Sequence, residues 1–77
     1  MVDIKVVFGQ VLAEVRKEKR ISQEQLAHEA DLDRSYVSKL ETGVYQPSIS
    51  TLIAIAKVLE VRPGMLVDRV MDELDKP

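Results

Sequence analysis

The sequence has no cysteine. That excludes disulfides and the thiolate sites that hold most structural zinc. At 77 residues the chain lies near the size at which one apolar core only just offsets the entropy of ordering it. With staples absent, the remaining source of extra burial is a partner subunit. No run of about 18 apolar residues is present to span a bilayer. The N-terminus, MVDIKVVFGQ, lacks the basic flank and long apolar stretch of a signal peptide. A soluble, cytoplasmic chain with no membrane partner is expected. Histidine occurs once, as His28, on the polar side of its helix, and acids, bases and nucleophiles do not gather as a catalytic centre requires. No catalytic residue, metal site or cofactor is expected, and the chain does not read as an enzyme. Met1, Met65 and Met71 are scattered and imply only packing. Repeats, low-complexity stretches and linkers are missing too, so residues 1–77 read as one domain.

Net charge is small and negative, −2. Its distribution matters more than its sum, because electrostatic binding depends on where charges lie. Residues 1–59 carry eight basic and eight acidic side chains. The excess of acid lies in residues 60–77, where Glu60, Asp68, Asp72, Glu73 and Asp75 outnumber Arg62, Arg69 and Lys76. A negative total therefore leaves room for a local nucleic-acid surface elsewhere.

Apolar positions recur at three and four residues and almost nowhere alternate, so the chain is all-α with five helical segments. The first runs from an Asp3 cap to Lys19, with Ile4, Phe8, Val11, Leu12 and Val15 on one face. The second starts at Ser22, with Gln25 placed to close a capping box, and buries Leu26, Ala27 and Ala30. Asp33 caps the third, which runs from Arg34 to about Thr42 and ends at Gly43 in the left-handed conformation. After the loop VYQP, Ser48 caps a fourth helix so apolar that it should be the central buried one. Pro63 starts the fifth, which continues to about Leu74.

On a helical wheel, Arg34, Ser38, Thr42, Ser35 and Lys39 fill a continuous arc of roughly 140°. No acid falls within it. Tyr36, Val37 and Leu40 lie opposite, and Glu41 sits at the border beside Val37. One face suits a core, and the other offers donors to a phosphate or a base edge. A solvated face is the bland alternative for such a short helix. The balance shifts because the second and third segments, joined by ADLD, match a helix-turn-helix over about residues 22–43, in which the second helix enters the major groove.

The run ISQEQLAHEADLDRSYVSKLETGVYQPSISTLIAIAKVLEV resembles the helix-turn-helix domain of the lambda repressor and Cro type, the Xre family, over about residues 5–70. Within that family, LDRSYVS is similar to the recognition helix of restriction-modification controller proteins. The resemblance implies a compact fold of five helices and a dimeric transcription regulator, a repressor for instance, that binds a palindromic double-stranded DNA operator. It implies Arg34, Ser35 and Lys39 as base readers, with Tyr36 and Ser38 beside them. Ser22 and Gln23 would bind phosphate, which the positive end of a helix favours in any family. Thr42, Tyr45 and Gln46 would hold the DNA backbone on the other side. Arg16 and Glu41 resemble a family ion pair with a role in stability.

Two positions depart from the family pattern: Asp31 stands in the turn, and Glu60 at the end of the fourth helix, where glycine is frequent. Aspartate tolerates the left-handed backbone better than most residues, at some cost in stability. In the last helix, at about residues 63–75, Leu66, Val67, Val70, Met71 and Leu74 form an apolar stripe. Leu66 is assigned to the core, while Val67, Val70, Met71 and Leu74 are assigned to a homodimer interface. Bound at an operator, such a dimer could repress by blocking RNA polymerase or activate by touching it. The alternative of another class is a protein-interaction module of the same fold, antitoxin-like or bridging, with little DNA binding of its own.

Overall fold

The computed structural model describes residues 2–77, and among them it forms five α-helices and no strand. These are α1 (Ile4–Glu18), α2 (Gln23–Glu29), α3 (Arg34–Glu41), α4 (Ile49–Leu59) and α5 (Pro63–Leu74). None of them is long and apolar enough to cross a membrane. Three starts are capped by side chains, satisfying amides that have no partner inside the helix. Asp3 accepts from the Lys5 amide, Ser22 from Gln25 and Ser48 from Thr51. Pro63 occupies the first turn of α5, as its fixed φ favours. Asp33 has the extended backbone of an N-cap, but its side chain makes no capping hydrogen bond.

Four helix ends share one geometry. After α2, the Leu32 amide donates to the Ala27 carbonyl at 2.8 Å and Asp31 to His28 at 3.3 Å, with Asp31 left-handed at φ 58°. This is the paired hydrogen bonding of a Schellman motif. It recurs after α1 around Arg20, after α3 around Gly43 and after α4 around Glu60. Only one of the four left-handed residues is glycine. The other three hold a conformation that disfavours any Cβ, at about 1–2 kcal/mol each.

The hub of the domain is α1, which packs on both α3 and α5, while α2 packs on α3. Its approach to α3 is set by Gly9. A Cβ there would lie 2.5 Å from the Leu40 carbonyl oxygen and 2.6 Å from that of Glu41. The core joins Val7, Phe8, Val11, Leu12 and Val15 of α1 to Leu26, Val37, Leu40, Ile55, Leu59 and Leu66. Ile4, expected on the buried face, is 52% exposed, and Val7 takes its place. Ala30 is only half-buried.

The central helix is therefore not α4. Its residues Ile55, Ala56 and Leu59 are buried, but Ile49 is 77% exposed and Ile53 48%. A helix apolar on every side has two kinds of face here: one meets the core and the other meets solvent in the single chain. The last helix needs the opposite correction. Val70, expected at an interface, is buried within the monomer, and Leu74 packs against the core, because α1 reaches further along α5 than expected. Only Val67 and Met71 of that set are exposed, by about half.

Candidate nucleic-acid interface

The turn at residues 30–33 sets α3 across α2, with Leu26 and Ala27 packed in one core with Val37 and Leu40. Burial of those two residues fixes the rotation of α3 about its own axis. Arg34, Ser35, Lys39 and Thr42 are then left exposed, as the wheel anticipated, while Ser38 is half-buried.

The acid of α3 is turned inward. Arg16 of α1 donates from Nε to Glu41 Oε2 at 2.6 Å and from Nη2 to Oε1 at 3.0 Å. Its third nitrogen, Nη1, donates to the Ile21 carbonyl at 2.8 Å. Donation to Glu41 holds the Arg16 guanidinium above its ordinary pKa. Among the described residues no buried side-chain nitrogen or oxygen lacks a partner. The acid carried by α3 itself is thus paired and shielded, and α3 is clamped to α1.

Gln23 joins the same cluster, its Nε2 donating to Glu41 Oε1 at 2.9 Å. That corrects its expected place: its side-chain amide nitrogen is committed inside the protein, and what α2 presents there is the backbone amide of its first residue. Ser22 acts as the cap of α2, its Oγ accepting from the Gln25 amide at 3.0 Å, and its hydroxyl proton remains able to donate. No reciprocal bond from the Gln25 side chain to Ser22 closes a capping box among the described residues. The Thr42 hydroxyl donates back to the Ser38 carbonyl at 2.9 Å, so it offers an incoming phosphate oxygen no proton unless that bond breaks.

Tyr36 and Tyr45 come together. Their ring centroids lie 5.9 Å apart at 28°, a stacked pair, and the Lys39 ammonium sits 5.7 Å from the Tyr45 centroid. Nothing in the helical pattern signals this, since Tyr45 lies in the loop after α3. Gln46 is exposed and lines an apolar groove with Ile4, Phe8, Ile49 and Val67 rather than the α3 face. Gly9 also went unnoticed in the sequence, although a glycine inside a helix costs about 1 kcal/mol relative to alanine and asks for a close approach.

A helix-turn-helix family model matches residues 12–66, spanning the end of α1 through the start of α5. The chain belongs to the Xre-type helix-turn-helix family of transcription regulators. Control protein C.MunI of a Mycoplasma species is 38% identical over 77 residues, covering 99% of each chain. The immunity repressor protein of Bacillus phage phi105 is 42% identical over 62 residues, but the helix-turn-helix chain described here spans only 43% of that repressor. Among solved structures, the restriction-modification controller protein C.Esp1396I superposes with a TM-score of 0.87 at 30% identity, over 99% of this chain and 100% of that one. The biofilm regulator SinR, solved in complex with DNA, gives 0.75 at 37% identity over 79% of this helix-turn-helix chain and 98% of its own. The likeness to controller proteins expected from LDRSYVS therefore extends over the whole chain.

Proposed function

We propose that the protein binds a palindromic DNA operator as a two-fold dimer, with one α3 in each of two successive major grooves. The observation that carries this is the division of α3: Val37 and Leu40 buried, Glu41 drawn inward by Arg16, and cations and hydroxyls alone left outside. Arg34, Ser35 and Lys39 read base edges, with Tyr36 and Ser38 beside them, since arginine and lysine donate to guanine and serine to several bases. Ser22 and the Gln23 amide position the phosphate backbone. Part of the chain's acid does not oppose this, because Glu14 and Glu18 pair with Arg69, and Glu73 with Lys76.

The dimer surface we propose unites Val67 and Met71 with residues that the stripe on α5 alone did not include. Ile4, Ile49 and Val67 line one groove. Ile53 and Met71 follow Ile49 and Val67 by four residues and so extend the same helix faces. A contiguous exposed apolar surface on so small a domain is what a second copy would cover. The symmetry then sets half-sites about 34–36 Å apart. Bound at a promoter in the cytoplasm, the dimer would exclude RNA polymerase or touch it, and in vitro transcription across the operator distinguishes repression from activation.

Selection from a pool of random duplexes is the test of binding. The protein should enrich a palindrome of that spacing, with affinity falling as salt rises. No enrichment would sink the proposal. Sedimentation tests the dimer: the wild type should sediment as two copies and Val67→Asp as one folded copy, and a monomeric wild type would remove the two-fold arrangement.

A further inference from the structure

We propose that Tyr45 determines operator specificity through its ring, as the positioning residue for Lys39, and not through a hydroxyl contact to phosphate. The role rests on the reading of α3 as the DNA-contacting helix, but the arrangement behind it belongs to the free protein.

The loop that carries Tyr45 is pinned rather than loose. The amides of Val44 and Tyr45 both donate to the Lys39 carbonyl, at 2.9 and 3.3 Å. Gly43, at φ 80°, has its Cβ position filled by Val6 of α1, whose Cγ2 would be 2.8 Å away. The turn is thereby locked against the hub helix. From it the Tyr45 ring, 46% exposed, lies against Tyr36, which is itself packed on the core. A core-anchored ring thus supports an exposed ring, and the exposed ring faces the Lys39 ammonium at 5.7 Å. That distance is within the reach of a cation–π contact.

The consequence is conformational. A lysine on an exposed helix face ordinarily samples many rotamers, and ordering it against one base is costly. With the ammonium held over Tyr45, Lys39 approaches the groove from a restricted set of positions. A restricted donor favours the base pair it is aimed at, whereas a phosphate can be reached from many positions. The ring should therefore sharpen discrimination at the base pair read by Lys39 and leave general DNA affinity unchanged.

Phenylalanine separates the two roles, because it keeps the ring and removes the hydroxyl. The measurement is affinity for the selected operator, for operators changed at the base pair whose preference Lys39→Ala relaxes, and for random DNA. In Tyr45→Phe all three should match the wild type. Tyr45→Ala should lose about two- to fivefold on the operator, the size of one exposed cation–π contact, with random DNA unaffected. Lys39→Ala combined with Tyr45→Ala should be no weaker than the weaker single variant. In the free protein, the Lys39 side-chain protons should show an upfield ring-current shift that survives in Tyr45→Phe and vanishes in Tyr45→Ala. Equal losses in Tyr45→Phe and Tyr45→Ala on every DNA would overturn the proposal in favour of a phosphate contact. Losses that multiply in the double variant, or an absent ring-current shift, would overturn it too. A wild type that selects no duplex would instead overturn the DNA-binding reading itself, and the specificity role with it.

Discussion

Arg16 and Arg69 both tie α1 to a neighbouring helix, and both meet glutamate, yet their surroundings differ. Arg16 is 11% exposed and its partner Glu41 6%, and all three guanidinium nitrogens find acceptors. Arg69 is 31% exposed, and its partners Glu14 and Glu18 are 56% and 57% exposed at 3.3 and 3.1 Å. Water competes with the second set and hardly with the first. Breaking the first strands a desolvated charge, whereas breaking the second returns charges to solvent. The same arginine–glutamate chemistry thus serves two purposes around α1: Arg16 of α1 fixes the orientation of α3, and Arg69 of α5 adds a weak surface link between α5 and α1.

Glu41→Ala gives the sharpest contrast. It leaves Arg16 buried without its counter-charge and should destabilise the fold by about 3 kcal/mol, the lower end for a broken buried pair. Urea unfolding measures this, and an unchanged midpoint would show that the pair is solvated after all. Next comes Gly9→Ala, on the same buried side of α1. Its Cβ meets two backbone carbonyls that cannot move separately, at a cost of about 1–3 kcal/mol. The gain in helix propensity offsets about 1 kcal/mol of that. A net loss of up to about 2 kcal/mol is expected, together with weaker DNA binding as α3 shifts from α1.

The helix ends should respond in the opposite direction. Asp31→Gly and Glu60→Gly relieve left-handed strain and should each stabilise by about 1 kcal/mol, seen as a raised urea midpoint. Destabilisation by either would mean that its side chain matters more than its backbone.

The smallest effect belongs to Arg69→Met. Hydrogen bonding from Arg69 holds the Glu18 carboxyl below the usual carboxylate range. The stabilisation it contributes is present above that range and is lost as pH falls through the lowered folded value. Arg69→Met should therefore lower the midpoint slightly at neutral pH, and the gap should close in strong acid and in about 1 M salt, where screening acts within about 3 Å. A gap that persists in acid would point to lost packing instead of lost charge.

Much of this was legible in the sequence, where local physics decides alone. The spacing of apolar residues located five helices, and Asp3, Ser22, Ser48 and Pro63 marked four starts. Asp31 took the left-handed turn as expected. The pairing of Arg16 with Glu41 was foreseen by resemblance and is present. What stayed hidden depends on which apolar surface meets which. Ile49, Ile53, Val67 and Met71 look no different from Leu66 or Val70 in a periodic pattern, because hydrophobicity alone does not record which faces the neighbouring helices cover. Side-chain partners across the fold were equally silent: Gln23 turning to Glu41, and Tyr45 stacking on Tyr36, follow from the packing of α1, α2 and α3 and from no local rule.

The central claim is that the outer face of α3 reads bases, and Arg34→Ala tests it most directly. Affinity of wild type and variant is measured on the selected operator and on random duplex over a range of salt. A loss of about 1–3 kcal/mol on the operator, with relaxed preference at one base pair and little change on random DNA, is the predicted result. An equal loss on both, with the sequence preference intact and the salt slope reduced, would show that Arg34 touches only phosphate and would contradict the claim.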